Sequence, residues 1–98
     1  MWPDERLREL VDVDLPVIQA PMAGASSLEM AIAVSRAGGL GSLAGGPLEV
    51  AELHSQLTSM REASPGPVNV NFFAHTPPRS QPEKSRSWLR QLSRYSVE

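Results

Sequence analysis

The residues whose types and spacing could do chemistry are few. Asn69 and Asn71 stand two apart in Val68-Asn69-Val70-Asn71-Phe72-Phe73. Period two puts them on one face of a strand, and a buried amide needs partners. Near the carboxyl end of a strand, Asn71 can hydrogen-bond the polar edge of a cofactor, or serve as a structural amide tied to loop backbone. His75 follows in the loop Ala74-His75-Thr76-Pro77-Pro78. There it can act on a substrate as acid, base or hydrogen-bond donor, or be an exposed loop histidine. His54 falls on the exposed-to-boundary side of a helix and reads as structural. Two isolated histidines and no cysteine make no metal site. There is no Ser-His-Asp set, phosphate-binding loop or close carboxylate pair. Gly38-Gly39-Leu40-Gly41 closes a helix and enters a strand, the reverse of the dinucleotide fingerprint.

The stretch Val17-Ile18-Gln19-Ala20-Pro21-Met22-Ala23-Gly24 completes the candidates. A short apolar run ends at Pro21, which has no N–H for a ladder. Small residues and a helix-start signal follow. Ligands bind at the carboxyl ends of strands in α/β proteins. Ala20, Pro21 and Met22 are therefore expected to lie against a flat cofactor ring; the alternatives are a plain strand stop and a Met22 that fills a core gap.

These positions need elements to hold them. Leu7, Leu10 and Val11 predict a short helix over Arg6–Val13 with Asp4 as N-cap. A first strand is expected over Val17–Ala20. Ser26-Ser27-Leu28-Glu29 fits a capping box opening a helix that Gly38-Gly39 ends. Leu40–Ala44 is expected as a second strand. Pro47 starts a helix over about Leu48–Glu62, striped by Val50, Leu53, Leu57 and Met60. Val68–Phe73 is a third strand. Glu83–Tyr95 is a last helix, with Trp88, Leu89, Leu92 and Tyr95 on one side and Arg86, Arg90 and Arg94 in a row. This order predicts α/β architecture with parallel strands and right-handed crossovers. Three strands leave two open edges and little core, so the chain reads as the start of something larger.

Composition excludes several classes. The 98 residues are 41% hydrophobic and 20% charged, with net charge -2, so nothing pulls the chain as a whole toward nucleic acid or an anionic membrane. The arginine row lacks the interleaved glycines and aromatics of a single-strand platform and reads as a solvated helix face. Of nine prolines, six lie between Pro47 and Pro82, which marks the second half as loop-rich. The amino terminus is no secretory signal, and no apolar segment approaches the ~20 residues that span a bilayer. The lack of cysteine fits a reducing compartment, and a cytoplasmic location is expected.

Three ordered blocks resemble the nitronate monooxygenases, formerly 2-nitropropane dioxygenases. They are Pro16-Val17-Ile18-Gln19-Ala20-Pro21-Met22-Ala23-Gly24, Ala33-Val34-Ser35-Arg36-Ala37-Gly38-Gly39-Leu40-Gly41-Ser42-Leu43, and Val68-Asn69-Val70-Asn71-Phe72-Phe73-Ala74-His75-Thr76-Pro77-Pro78. The resemblance covers about residues 5 to 92. It implies an FMN-binding TIM (β/α)8 barrel that oxidises alkyl nitronates with O2 to a carbonyl compound and nitrite. Residues 1–98 would be an N-terminal portion with the first three β/α units, the barrel incomplete. The resemblance implies that Ala20, Pro21, Met22 and Asn71 contact the flavin. His75 is left as a substrate-side candidate. The family's catalytic histidine is expected beyond residue 98, so none is assigned here. Such a barrel takes ~250 residues, and the chain alone is expected to be inactive. The alternatives are a flavin-dependent enoyl-thioester reductase of the same fold, which shares the Ala-Pro-Met opening, and a non-catalytic remnant or interaction module. The His75-Thr76-Pro77-Pro78 tail favours the monooxygenase.

Overall fold

Helix ends set the layout. In the computed structural model, which describes residues 2–96, the elements run α1 (Arg6–Val11), α2 (Leu28–Arg36), β1 (Ser42–Ala44), α3 (Val50–Ala63), β2 (Asn69–Asn71), α4 (Pro82–Leu92) and a 3-10 turn at Ser93–Tyr95. Ser27 caps α2, its hydroxyl accepting the Met30 N–H at 3.2 Å. The cap is thus one residue later than expected and the Ser26–Glu29 capping box does not form, because the Ser26 hydroxyl is bonded to Met22 and N3 is then Met30. Gly38, at φ 96°, ends the helix in a conformation that disfavours side chains. Its carbonyl accepts the N–H groups of Asp14 and Leu15, which ties the α1–α2 connection to the end of α2. The α1 N-cap is Glu5, with no side-chain cap bond, but Asp4 accepts the Arg6 N–H at 3.0 Å.

β1 and β2 pair in parallel, with Ser42 opposite Asn69, Leu43 opposite Val70 and Ala44 opposite Asn71. Beside β1, Ile18 makes one parallel bridge to Leu40. Leu40 donates to the Val17 carbonyl at 2.9 Å and accepts from Gln19 N–H at 3.0 Å. The next parallel rung would need an N–H at residue 21 for the Ser42 carbonyl, and Pro21 has none. The strand expected over Val17–Ala20 is therefore a single bridge. Where three β/α units are expected, the described residues show α/β architecture with a two-stranded parallel sheet and a bridged segment beside it.

The core lies between β1 and the two helices on its outer side. Ala31 of α2, Leu43 of β1 and Met60 of α3 are buried together, with Leu28, Ile32, Leu57 and Val68 packed around them. Gly41 makes this packing possible: a Cβ there would lie 2.2 Å from the Ala31 carbonyl oxygen. The stripe expected on α3 is buried only toward its C-terminal end, and Val50 is exposed. α4 is different. It packs on no other helix or strand, touching only the 3-10 turn that continues it, and Trp88, Leu89, Leu92 and Tyr95 are all exposed. The radius of gyration is 18.9 Å, against about 13 Å for a compact domain of this length.

Candidate functional site

The sequence candidates gather at one end of the sheet. Ala20, Pro21 and Met22 leave the bridged segment at the carboxyl end of β1, on one side of it. Asn71 ends β2 on the other side, opposite Ala44. Two strand spacings separate the loop from Asn71, about 10 Å, so the two flank β1 without touching. His75 lies further out, exposed, with its ring 5.8 Å from that of Phe73. Phe73 in turn lies against the loop after β1, where a Cβ on Gly46 would come within 2.9 Å of its ring.

The shape of the first loop is set by Ser26. Its hydroxyl accepts the Met22 N–H at 3.0 Å and donates to the Met22 carbonyl at 2.9 Å. The same carbonyl accepts the N–H groups of Ala25 and Ser26. Met22's backbone is therefore satisfied within the loop. What the loop offers a ligand is the Met22 side chain, 57% exposed, and the Ala20 N–H, which has no partner among the described residues.

The two asparagines separate. Asn69 is half-buried, and its side-chain amide donates to the Ser42 hydroxyl at 3.1 Å, a structural bond. Asn71 is exposed, and its side chain has no hydrogen bond among the described residues. Gln19 accepts the Ser42 N–H through Oε1 at 3.1 Å, and its Nε2 is buried without a partner. In the sequence Gln19 carries no assigned role and Ser26 is expected only as a helix cap, whereas here both hold the loop. A glutamine inside an apolar strand, and a serine four residues beyond Met22, were the available signals.

A cleft of about 400 Å³ opens between this loop and the loop after β1, lined by residues that include Ala23, Gly24, Ser27, Ser42, Ala44 and Leu48. Ala20, Pro21, Met22 and Asn71 do not line it. Glu29 does, and its carboxyl is held below the usual carboxylate range by its own backbone N–H and then by the Ser27 hydroxyl. The cleft therefore carries a negative charge beside the α2 N-terminus. Among the described residues no group of three or more His, Cys, Asp or Glu is placed to hold a metal ion, and no helix is long and apolar enough to cross a membrane.

Comparison with known proteins narrows the chemistry. The family model described as nitronate monooxygenase matches residues 4–97. The nitronate monooxygenase of Pseudomonas aeruginosa is 39% identical over 85 residues, covering 87% of this chain and 24% of that protein. That of Paraburkholderia phytofirmans is 38% identical over 87 residues, 89% of this chain and 24% of the other. A probable nitronate monooxygenase of Staphylococcus aureus is 30% identical over 97 residues, 96% and 27% of the two chains. The chain thus spans about a quarter of the length of these relatives.

Proposed function

The chain belongs to the nitronate monooxygenase family, and from that premise we propose that residues 1–98 form the N-terminal portion of an FMN-binding (β/α)8 barrel oxidising alkyl nitronates with O2. The products are a carbonyl compound and nitrite. In this reading Ala20, Pro21, Met22 and Asn71 are one wall of the flavin site, and His75 lies toward the substrate.

The observation that carries the reading is the placement of the Ala20–Met22 loop and Asn71 on either side of one strand end. The groups left free there suit a flat ring with a polar rim. Met22 supplies apolar surface, and the Ala20 N–H and the Asn71 amide remain to hydrogen-bond polar ring atoms. Ser26 and Gln19 hold the loop in place for that contact. When bound, the flavin supplies the redox chemistry, and the protein orients it and limits access. Two strands give one wall only, so the isolated chain retains no FMN through gel filtration and releases no nitrite from a nitronate.

The test is an NMR titration of the chain with millimolar FMN. Weak binding shifts the Ala20 amide, the Met22 methyl and the Asn71 side-chain amide first. Shifts confined to other surfaces, or none, would overturn the assignment of this wall.

A further inference from the structure

Two loops at the carboxyl end of the sheet are fastened together. The loop after β1 turns over Gly45 to Leu48, closed by the Leu48 N–H donating to the Gly45 carbonyl at 3.2 Å, and Pro47 stiffens the bend. The first residues after β2 lie against it. A Cβ on Gly45 would come within 3.0 Å of Val70 Cγ1 and 3.2 Å of Phe72 Cε1, and one on Gly46 within 2.9 Å of two ring carbons of Phe73. Neither glycine has a positive φ, so backbone conformation demands neither. Space demands them: the Phe73 ring occupies the place that a side chain at position 46 would take.

This seat fixes more than Phe73. The His75 ring lies 5.8 Å from the Phe73 ring and is tilted by 48°, within the range of attractive aromatic pairs. The imidazole forms no hydrogen bond among the described residues. On its other side Thr76 precedes Pro77-Pro78, which holds the backbone there extended. His75 therefore stands at a bend between a seated aromatic ring and a stiff proline pair. The contact that can set its ring orientation is the one with Phe73. On the reading that His75 lies toward the substrate, we propose that Phe73, seated on Gly46, is a positioning residue that aims the His75 imidazole at the nitronate.

The first measurement is two-dimensional NMR of the imidazole protons of the 98-residue chain. His54 is the only other histidine, so His54→Gln assigns the signals. Gly46→Ala touches neither histidine and leaves the core of Ala31, Leu43 and Met60 in place. It should displace the Phe73 ring and shift the His75 Hδ2 and Hε1 signals while those of His54 stay put. Phe73→Leu should shift the same His75 signals through loss of the ring, and Phe73→Tyr should preserve them. In the Phe73→Leu background Gly46→Ala should add no further shift, because both act through one ring.

The second measurement is steady-state kinetics with a nitronate, in an FMN-loaded full-length relative that carries Gly46, Phe73 and His75. Phe73→Leu and Gly46→Ala should each lower kcat/KM about tenfold or more, the effect of a misplaced group, with flavin content unchanged. Phe73→Tyr should restore most of the loss, and Phe73→Leu should cost nothing further once His75→Gln is in place. His75 signals that ignore Gly46→Ala would overturn the proposal. So would a Phe73→Leu loss of equal size with and without His75. A relative indifferent to His75→Gln would overturn the substrate-side reading of His75, and the proposal with it. A loss in His75→Gln with none in Phe73→Leu would overturn the proposal alone.

Discussion

The side chain of Gln19 stands in for a missing backbone rung: its Oε1 accepts the Ser42 N–H at 3.1 Å, where a longer ladder would present a carbonyl. This bond holds the Ala20–Met22 loop against β1 after Pro21 has ended the pairing. The same amide leaves Nε2 buried and unpartnered. The Ser42 N–H fixes which end of the amide is oxygen, since two donors cannot face each other.

Replacing Gln19 should therefore separate local order from stability. Gln19→Leu removes the acceptor and the orphaned donor together, so global stability changes by less than about 1 kcal/mol. The Ser42 amide, by contrast, should exchange about five- to tenfold faster in hydrogen-exchange NMR, the equivalent of one lost hydrogen bond. Gln19→Glu keeps an acceptor and should keep the protection. Equal exchange in all three would show that the Ser42 N–H is held by something else.

Gly41 is the sharpest packing constraint. An added Cβ would sit 2.2 Å from the Ala31 carbonyl oxygen and 2.5 Å from the Ser35 hydroxyl, and neither a helix carbonyl nor a capped strand start yields cheaply. Ser35 also accepts the Gly41 N–H at 3.2 Å. Gly41→Ala should cost about 1–3 kcal/mol or more, a fall in melting temperature of roughly 4–8 °C per kcal/mol. Thermal unfolding followed by circular dichroism reads this directly, with Gly66→Ala, which meets open space, as the neutral comparison.

Asn71 and Asn69 should respond differently to truncation. In a full-length relative that carries both, Asn71→Ala is expected to weaken FMN binding about tenfold, the loss of one hydrogen bond to a polar ring atom. The unliganded fold should be unchanged, since the Asn71 side chain is bonded to nothing within the described residues. Asn69→Ala strips the Ser42 hydroxyl of its donor and should lower stability by about 1 kcal/mol with little effect on flavin affinity. Flavin fluorescence quenching and urea unfolding, measured on the same two variants, distinguish the roles. Unchanged affinity in Asn71→Ala would leave it a surface residue.

Much of this chain was legible in its residues. The α2 and α3 helices follow from apolar spacing and from glycine and proline stops, which act within a few residues of themselves. The parallel order of the strands follows from their alternation with helices. The three motif blocks point to the family because each is a local run of residue types. The division of labour between Asn69 and Asn71 was not legible, since period two puts both on one face and only the Ser42 hydroxyl distinguishes them. Nor was the satisfied backbone of Met22, which depends on where Ser26 lands after a turn. The first strand failed as a strand for a reason that needs its neighbour: Pro21 matters because of the Ser42 carbonyl it leaves without a donor. The last helix shows the limit most plainly. Its stripe of Trp88, Leu89, Leu92 and Tyr95 is set by sequence, but whether a stripe is buried depends on what the chain brings to it. Residues 74–81 carry it away from the body, so the local pattern fixed the helix and tertiary structure left its face uncovered.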